Sequence, residues 1–174
     1  SGLSGAAQNS GVSGAAQNSG VSGAAQNSGV SGAAQNSGRR GAAQNSGVAG
    51  AAQNSGVAGA AQNSGNYGAA QNSGRRGTAQ NSGDYGTACA TGRLSTAATT
   101  GANSHIECGP GGICAVVAER VTWKVDVDAV LIQRWADGGT YHMAVLIPRK
   151  LRARTNDVLV ITKGKVIEHR RTST

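Results

Sequence analysis

A nine-residue unit, Gly-Ala-Ala-Gln-Asn-Ser-Gly-x-x, recurs in phase along the first half of the chain. Copies open at Gly5, Gly14, Gly23, Gly32, Gly41, Gly50, Gly59, Gly68 and Gly77, with a damaged tenth at Gly86. Repetition at a fixed period specifies a stacked, quasi-one-dimensional structure in which each copy buries itself only against its neighbours. It argues against an enzyme, because a repeat supplies the same few groups in rows and catalysis needs dissimilar groups converging on a point. Rows suit ladders, fibres and extended binding faces.

The variable and invariant positions assign the faces. The pairs after the second Gly read Val12-Ser13, Val21-Ser22, Arg39-Arg40, Asn66-Tyr67, Arg75-Arg76 and Asp84-Tyr85, so they occupy an exposed turn. The first Ala becomes Thr78 and Thr87, whereas the second never changes from Ala7 to Ala88. Side chains alternate between faces in an extended segment, so Ala43 and Asn45 point one way and Ala42, Gln44 and Ser46 the other. The unvarying small residue belongs inside, and it takes an inward ladder with it: Asn18, Asn27, Asn36, Asn45, Asn54, Asn63, Asn72 and Asn81. Buried amides need partners, and stacking at about 4.8 Å lets each bond the copy above and below. An outer ladder of Gln17, Gln26, Gln35, Gln44, Gln53, Gln62, Gln71 and Gln80 follows on the opposite face.

Glycines at both ends of the segment are expected to supply positive-φ corners. The result is an all-β chain opening in a thin β-solenoid or β-arcade, each coil one or two repeats long. Nine is favoured, since it sets Asp84 beside Arg75 and Arg76 between Tyr67 and Tyr85. A glycine-rich polyproline-II bundle fits less well, because Gln occupies what would be a glycine slot. With 28 Gly, no Phe and 3% aromatic residues, disorder of the isolated repeats is the bland alternative, but disorder does not require register.

Composition changes near residue 100. A repeat domain at 1–93, a Thr/Ala/Ser seam at 94–104 and a compact antiparallel β domain at 105–174, sandwich or barrel, are expected. In the last, Val121, Trp123, Val125 and Val127 alternate with polar residues. A Gly-rich turn follows at Gly138-Gly139, and a second hairpin turns at Lys163-Gly164.

Cys108 and Cys114 flank Gly-Pro-Gly-Gly-Ile and are expected to form a disulfide; free thiols or metal ligation are the alternatives. Metal ligation would need Cys89, His105 and Glu107, whose spacing matches no common zinc pattern. No metal or other cofactor is therefore expected. Cys89, left odd, suggests an intersubunit bond or an inert buried thiol. The net charge of +8 is divided between Arg pairs far apart in sequence and the C-terminal half, which argues against nucleic-acid binding. No stretch has the roughly 20 apolar residues that span a bilayer. The opening Ser1-Gly2-Leu3 fits a mature secreted chain as well as a trimmed one.

The Ala-Gln-Asn-Ser-Gly phrase loosely resembles bacterial curlin-type functional-amyloid repeats over about the first ninety residues. That resemblance implies amide stacking between Gly-rich turns and self-assembly. This period is shorter, and the family's longer Ser…Gln…Gly-x-Gly-Asn pattern is missing. The nine-residue period is also similar to that of calcium-binding β-roll toxins, but their unit needs an Asp in each copy and only Asp84 is present in the repeats.

The functional expectation is a structural, extracellular subunit that polymerises with itself. Uncharged residues 1–38, through Val12, Val21 and Val30, make the principal intersubunit contact. A rigid stalk on a phage or cell surface is the next reading. A solenoid that binds ice, glycans or matrix through an ordered face is the third.

Overall fold

The computed structural model describes residues 3–124 and 126–171. Its elements are all strands. The repeats form β1 (Ser4–Asn9), β2 (Ser13–Asn18), β3 (Ser22–Asn27), β4 (Ser31–Asn36), β5 (Arg40–Asn45), β6 (Ala51–Asn54), β7 (Ala60–Asn63), β8 (Ala69–Asn72) and β9 (Thr78–Asn81). Beyond them come β10 (Thr87–Ala90), β11 (Thr96–Thr99), β12 (Ser104–Cys108), β13 (Ile113–Val117), β14 (Arg120–Lys124), β15 (Val130–Asp137), β16 (Thr140–Leu146), β17 (Val158–Thr162) and β18 (Lys165–Arg170).

Odd strands from β1 to β15 make one parallel sheet and even strands from β2 to β14 make the other. In the repeats each residue pairs with the one eighteen positions on, as in Ala24 with Ala42 and Ala33 with Ala51, and the step shortens to seventeen from β11 to β13 onward, as in Thr96 with Ile113. The coil is therefore two repeats, not the favoured one. Chain reach explains why. A six-residue strand runs roughly 20 Å, and a three-residue corner spans only about 10 Å, so one repeat cannot return to its start. Two strands facing each other close the coil and give the small inward residues a partner face.

The second Ala and the Asn of each unit lie between the sheets, and the second-Ala column is fully enclosed from Ala25 to Ala88. Repeat glycines serve close approach rather than positive φ. A Cβ on Gly50 would meet the Asn45 amide nitrogen and oxygen at 2.6 and 2.8 Å, and one on Gly56 would sit inside the carbonyl of Gly38. The left-handed corner is taken instead by the second variable residue in the later coils, at Tyr67, Arg76, Tyr85, Leu94 and Asn103, with φ of 54–59°. Their backbone amides stay paired there: Tyr67 N–H donates to Asp84 O at 3.0 Å and Tyr85 N–H to Ala102 O at 2.9 Å.

Both sheets run through 94–104 without a break. The expected seam contains β11, paired on both sides by β9 and β13. Likewise β12, β13, β14 and β15 continue the parallel ladder, so the part beyond 105 begins as more solenoid. What changes is the filling. The alanine column becomes Ile106, Cys114, Trp123 and Leu131, all enclosed, and the Asn column becomes Ala90, Thr99, Cys108, Val116 and Gln133. Burying those larger apolar side chains contributes about 1.5–3 kcal/mol each, a hydrophobic core that the repeats lack.

Antiparallel pairing appears only at the end. β16 folds back on β15, while β17 pairs β14 and carries β18 outside it. These strands extend the two sheets rather than form a separate sandwich or barrel. Gln133 ties them together: its amide donates to Ala118 O and Glu119 O and accepts from Gly164 N–H, all at 2.9 Å. Val125, expected in the alternating run, lies outside the described residues.

Candidate functional site

The most extensive feature is the set of amide ladders. In the first sheet Asn9, Asn27, Asn45, Asn63 and Asn81 donate each to the next at 2.7–2.8 Å. In the second, Asn18 donates to Asn36 and Asn36 to Asn54 at 3.0 and 2.8 Å. That column then breaks. Above Asn72 stands Ala90, which has no side-chain acceptor, and the Asn72 amide turns to Gly59 O and Thr78 O at 2.6 and 3.2 Å. The Asn54 amide nitrogen is left without a partner among the described residues.

Outside, Gln8 through Gln80 and Gln17 through Gln71 form two continuous ladders at 2.9–3.1 Å. Every link donates toward the C-terminal end. At β1 and β2, the first described rungs, the carbonyl oxygens of Gln8 and Gln17 consequently face away from the rest of the ladder, while those of Asn9 and Asn18 accept from Gly11 N–H and Gly20 N–H at 3.4 and 3.3 Å. Beside each Gln ladder runs a shallow groove bordered by Gln, Asn and Ser columns.

An eighteen-residue coil sends alternate variable pairs to opposite edges. Tyr67 and Tyr85 stack directly, ring centroids 5.4 Å apart, with no arginine between them. Asp84 accepts from Ala102 N–H at 2.8 Å, and Arg75 belongs to the other edge. Arg39, Arg75, Arg76 and Arg93 lie in corners that follow strands of the second sheet, Arg40 opens β5 at the same edge, and all five are exposed. The premise of widely scattered arginines, on which the expectation of no nucleic-acid partner rested, does not hold in space. Val12, Val21 and Val30 are each exposed, but Val12 and Val30 share one edge and Val21 lies on the arginine edge. They make no single patch.

Cys108 and Cys114 are disulfide-bonded, with Cα atoms 6.0 Å apart. Cys108 sits in β12 and Cys114 in β13, so the bond staples one sheet to the other across the interior. Its ring is short, and chain entropy gives it about 2 kcal/mol.

The outward face of the second sheet holds the densest chemistry. Cys89 stands opposite Glu107 and Thr87 opposite His105 in the β10–β12 pairing. Ligand atoms of Cys89, His105 and Glu107 all lie within 4.8 Å of one another. The Cys89 thiol donates to Glu107 Oε2 at 3.8 Å, and Lys124 Nζ contacts Glu107 Oε1 at 2.9 Å. Burial, then the carboxylate charge of Glu107, pushes the thiol up to about 12. Burial holds His105 below its ordinary range. Sequence spacing did not bring these residues together because a nine-residue coil would not pair their strands in this way.

A thiol held at about 12 is a poor nucleophile, which works against the intersubunit disulfide expected of Cys89. In metal-free buffer at neutral pH, Cys89 should alkylate roughly a thousandfold more slowly than an ordinary cysteine, by the missing thiolate fraction. The rate should recover on unfolding or well above pH 10. Timed iodoacetamide labelling with mass spectrometry measures this, and unhindered labelling at neutral pH would contradict the described environment.

Among the described residues no helix is long and apolar enough to cross a membrane. No family model, curated protein or solved structure matches the chain.

Proposed function

We propose that this chain is a structural rod that associates with itself as the subunit of an extracellular filament, with no catalytic step and no cofactor required for assembly. The observation that carries this reading is the in-register edge formed by β1 and β2. β1 and β2 are the outermost strands of their sheets among the described residues, and their sequences repeat those of the coils stacked above them. An edge that already matches the next coil of its own chain also matches a coil of another copy. The interior disulfide supports an oxidising, extracellular setting. The loose resemblance to curlin-type repeats points the same way, and the two-strand coil brings this period closer to theirs.

A second reading is favoured by the other end. The switch to antiparallel hairpins at β16 and β18 stops coil stacking, as terminal repeats of solenoids do. A rod stopped at that end and associating only through the β1 and β2 edge makes a two-fold pair rather than an endless polymer. Such a pair suits a stalk on a surface or in a matrix.

Electron microscopy and light scattering of the purified protein separate the two, as long fibres or discrete pairs. The triple variant Val12→Lys, Val21→Lys, Val30→Lys alters only exposed corners and should abolish either assembly through charge repulsion at the β1 and β2 edge. Deleting residues 1–38 should do the same, because the new end then carries Arg39 and Arg40. Fibres of unchanged diameter from either variant would reject assembly through this end.

A further inference from the structure

We propose that Cys89, His105 and Glu107 form a binding site for a borderline divalent metal ion of the zinc class, on the outward face of the second sheet. The parallel register does the positioning. Cys89 and Glu107 face each other across β10 and β12, and His105 precedes Glu107 by two residues on the same face. A thiolate, an imidazole and a carboxylate within 4.8 Å supply the sulfur, nitrogen and oxygen donors that zinc takes in tetrahedral sites. The 3.8 Å between Cys89 Sγ and Glu107 Oε2 is close to the separation of two ligands bonded to one such ion, given bond lengths of about 2.3 and 2.1 Å.

The placement within the ladder also argues for a ligand. Along this face the position is Gln17, Gln35, Gln53 and Gln71, each bonded to the next, and then Cys89 and Glu107. The inward neighbours also change here, but a change of core does not require thiol and carboxylate outside. On the first sheet the same columns continue as Thr96, Ala98, Ile113 and Ala115, with no ligand type among them. One of the three cysteines and one of the three histidines of the chain therefore meet a carboxylate in adjacent rungs.

A nucleophilic role fits less well, because the thiol donates to Glu107 rather than to the imidazole. Charge closes around a dication: thiolate and carboxylate neutralise it, the thiol proton leaving to solvent. Lys124 holds the far oxygen of Glu107 and opposes the ion by its own charge. Three protein ligands leave a fourth position for water or an added donor.

The test uses the full chain with the Cys108–Cys114 bond intact and Cys89 verified as a free thiol, titrated with cobalt(II) and then with zinc(II). One equivalent of cobalt should give a thiolate-to-metal charge-transfer band in the near ultraviolet, displaced stoichiometrically by zinc. Cys89→Ser should abolish the band, and His105→Ala and Glu107→Gln should each weaken binding about tenfold or more. Lys124→Gln should tighten it, a gain that no folding defect imitates. Absence of the band overturns the proposal, as does metal binding that survives Cys89→Ser or is indifferent to both His105→Ala and Glu107→Gln.

Discussion

Gly56→Ala is expected to destabilise the rod by about 3–5 kcal/mol, far beyond the cost of an ordinary surface change. Gly56 is enclosed in a corner column in which each glycine rests against the carbonyl of the one eighteen residues before it. The added Cβ would meet Gly38 O and C and the Arg39 backbone. The backbone around them is held by Ser37 N–H to Asn18 O, Arg40 N–H to Val21 O and Ala58 N–H to Arg39 O, at 2.9–3.0 Å, so it cannot retreat without opening a coil. Because coils touch only their neighbours, the damage should divide the rod into two units melting separately. Gly139→Ala is the control. A Cβ there meets nothing within 4 Å, and its φ of 81° leaves only backbone strain. That costs about 1–2 kcal/mol. Denaturant unfolding of both variants checks the pair. If Gly56→Ala costs no more than Gly139→Ala, the corners are not packed as described.

The same corners show where sequence reading succeeds and where it stops. The inner and outer faces were legible because substitution marks exposure: a site taking Val, Arg, Asn and Asp is open, and an unvarying Ala beside a varying one is closed. Coil size is not legible from the pattern alone: Arg75 with Asp84 and Arg76 between the tyrosines favour nine over eighteen, and only the reach of the chain decides for eighteen. Cys89, His105 and Glu107 are legible as the nearest set of ligand types but not as neighbours, because Cys89 faces Glu107 only when residues eighteen apart pair. The boundary near residue 100 was a change of filling read as a change of fold. Ile106, Cys114, Trp123 and Leu131 continue the alanine column at steps of eight or nine residues, a spacing present in the sequence but masked by the rise in hydrophobicity. Gln133 carried no such signal, since its role depends on two turns, at Ala118-Glu119 and at Gly164, meeting beside β15.

Asn45→Leu is expected to cost about 4 kcal/mol or more, and it separates the two reasons why the interior tolerates only its native column. Asn45 accepts from the Asn27 amide and donates to Asn63 Oδ1, both at 2.7 Å. Leucine leaves a buried donor below and a buried acceptor above, each costing about 1–3 kcal/mol. It also replaces a flat amide with two methyl groups against Gly50, where no room exists for a single Cβ. The triple variant Asn27→Leu, Asn45→Leu, Asn63→Leu decides between these costs. It leaves the Asn9 amide and Asn81 Oδ1 unpaired, and beyond the Gly47 carbonyl that the single variant already strips it frees only the Gly65 carbonyl, so hydrogen-bond loss alone would make three substitutions little worse than one. Crowding instead grows with each leucine. We expect crowding to win and the triple variant to fail to fold, while Gln44→Leu on the outer face stays within about 0.5 kcal/mol of the parent. Thermal and urea unfolding by circular dichroism measure all three. An Asn45→Leu protein as stable as Gln44→Leu would mean that the amide column does not lie between the sheets.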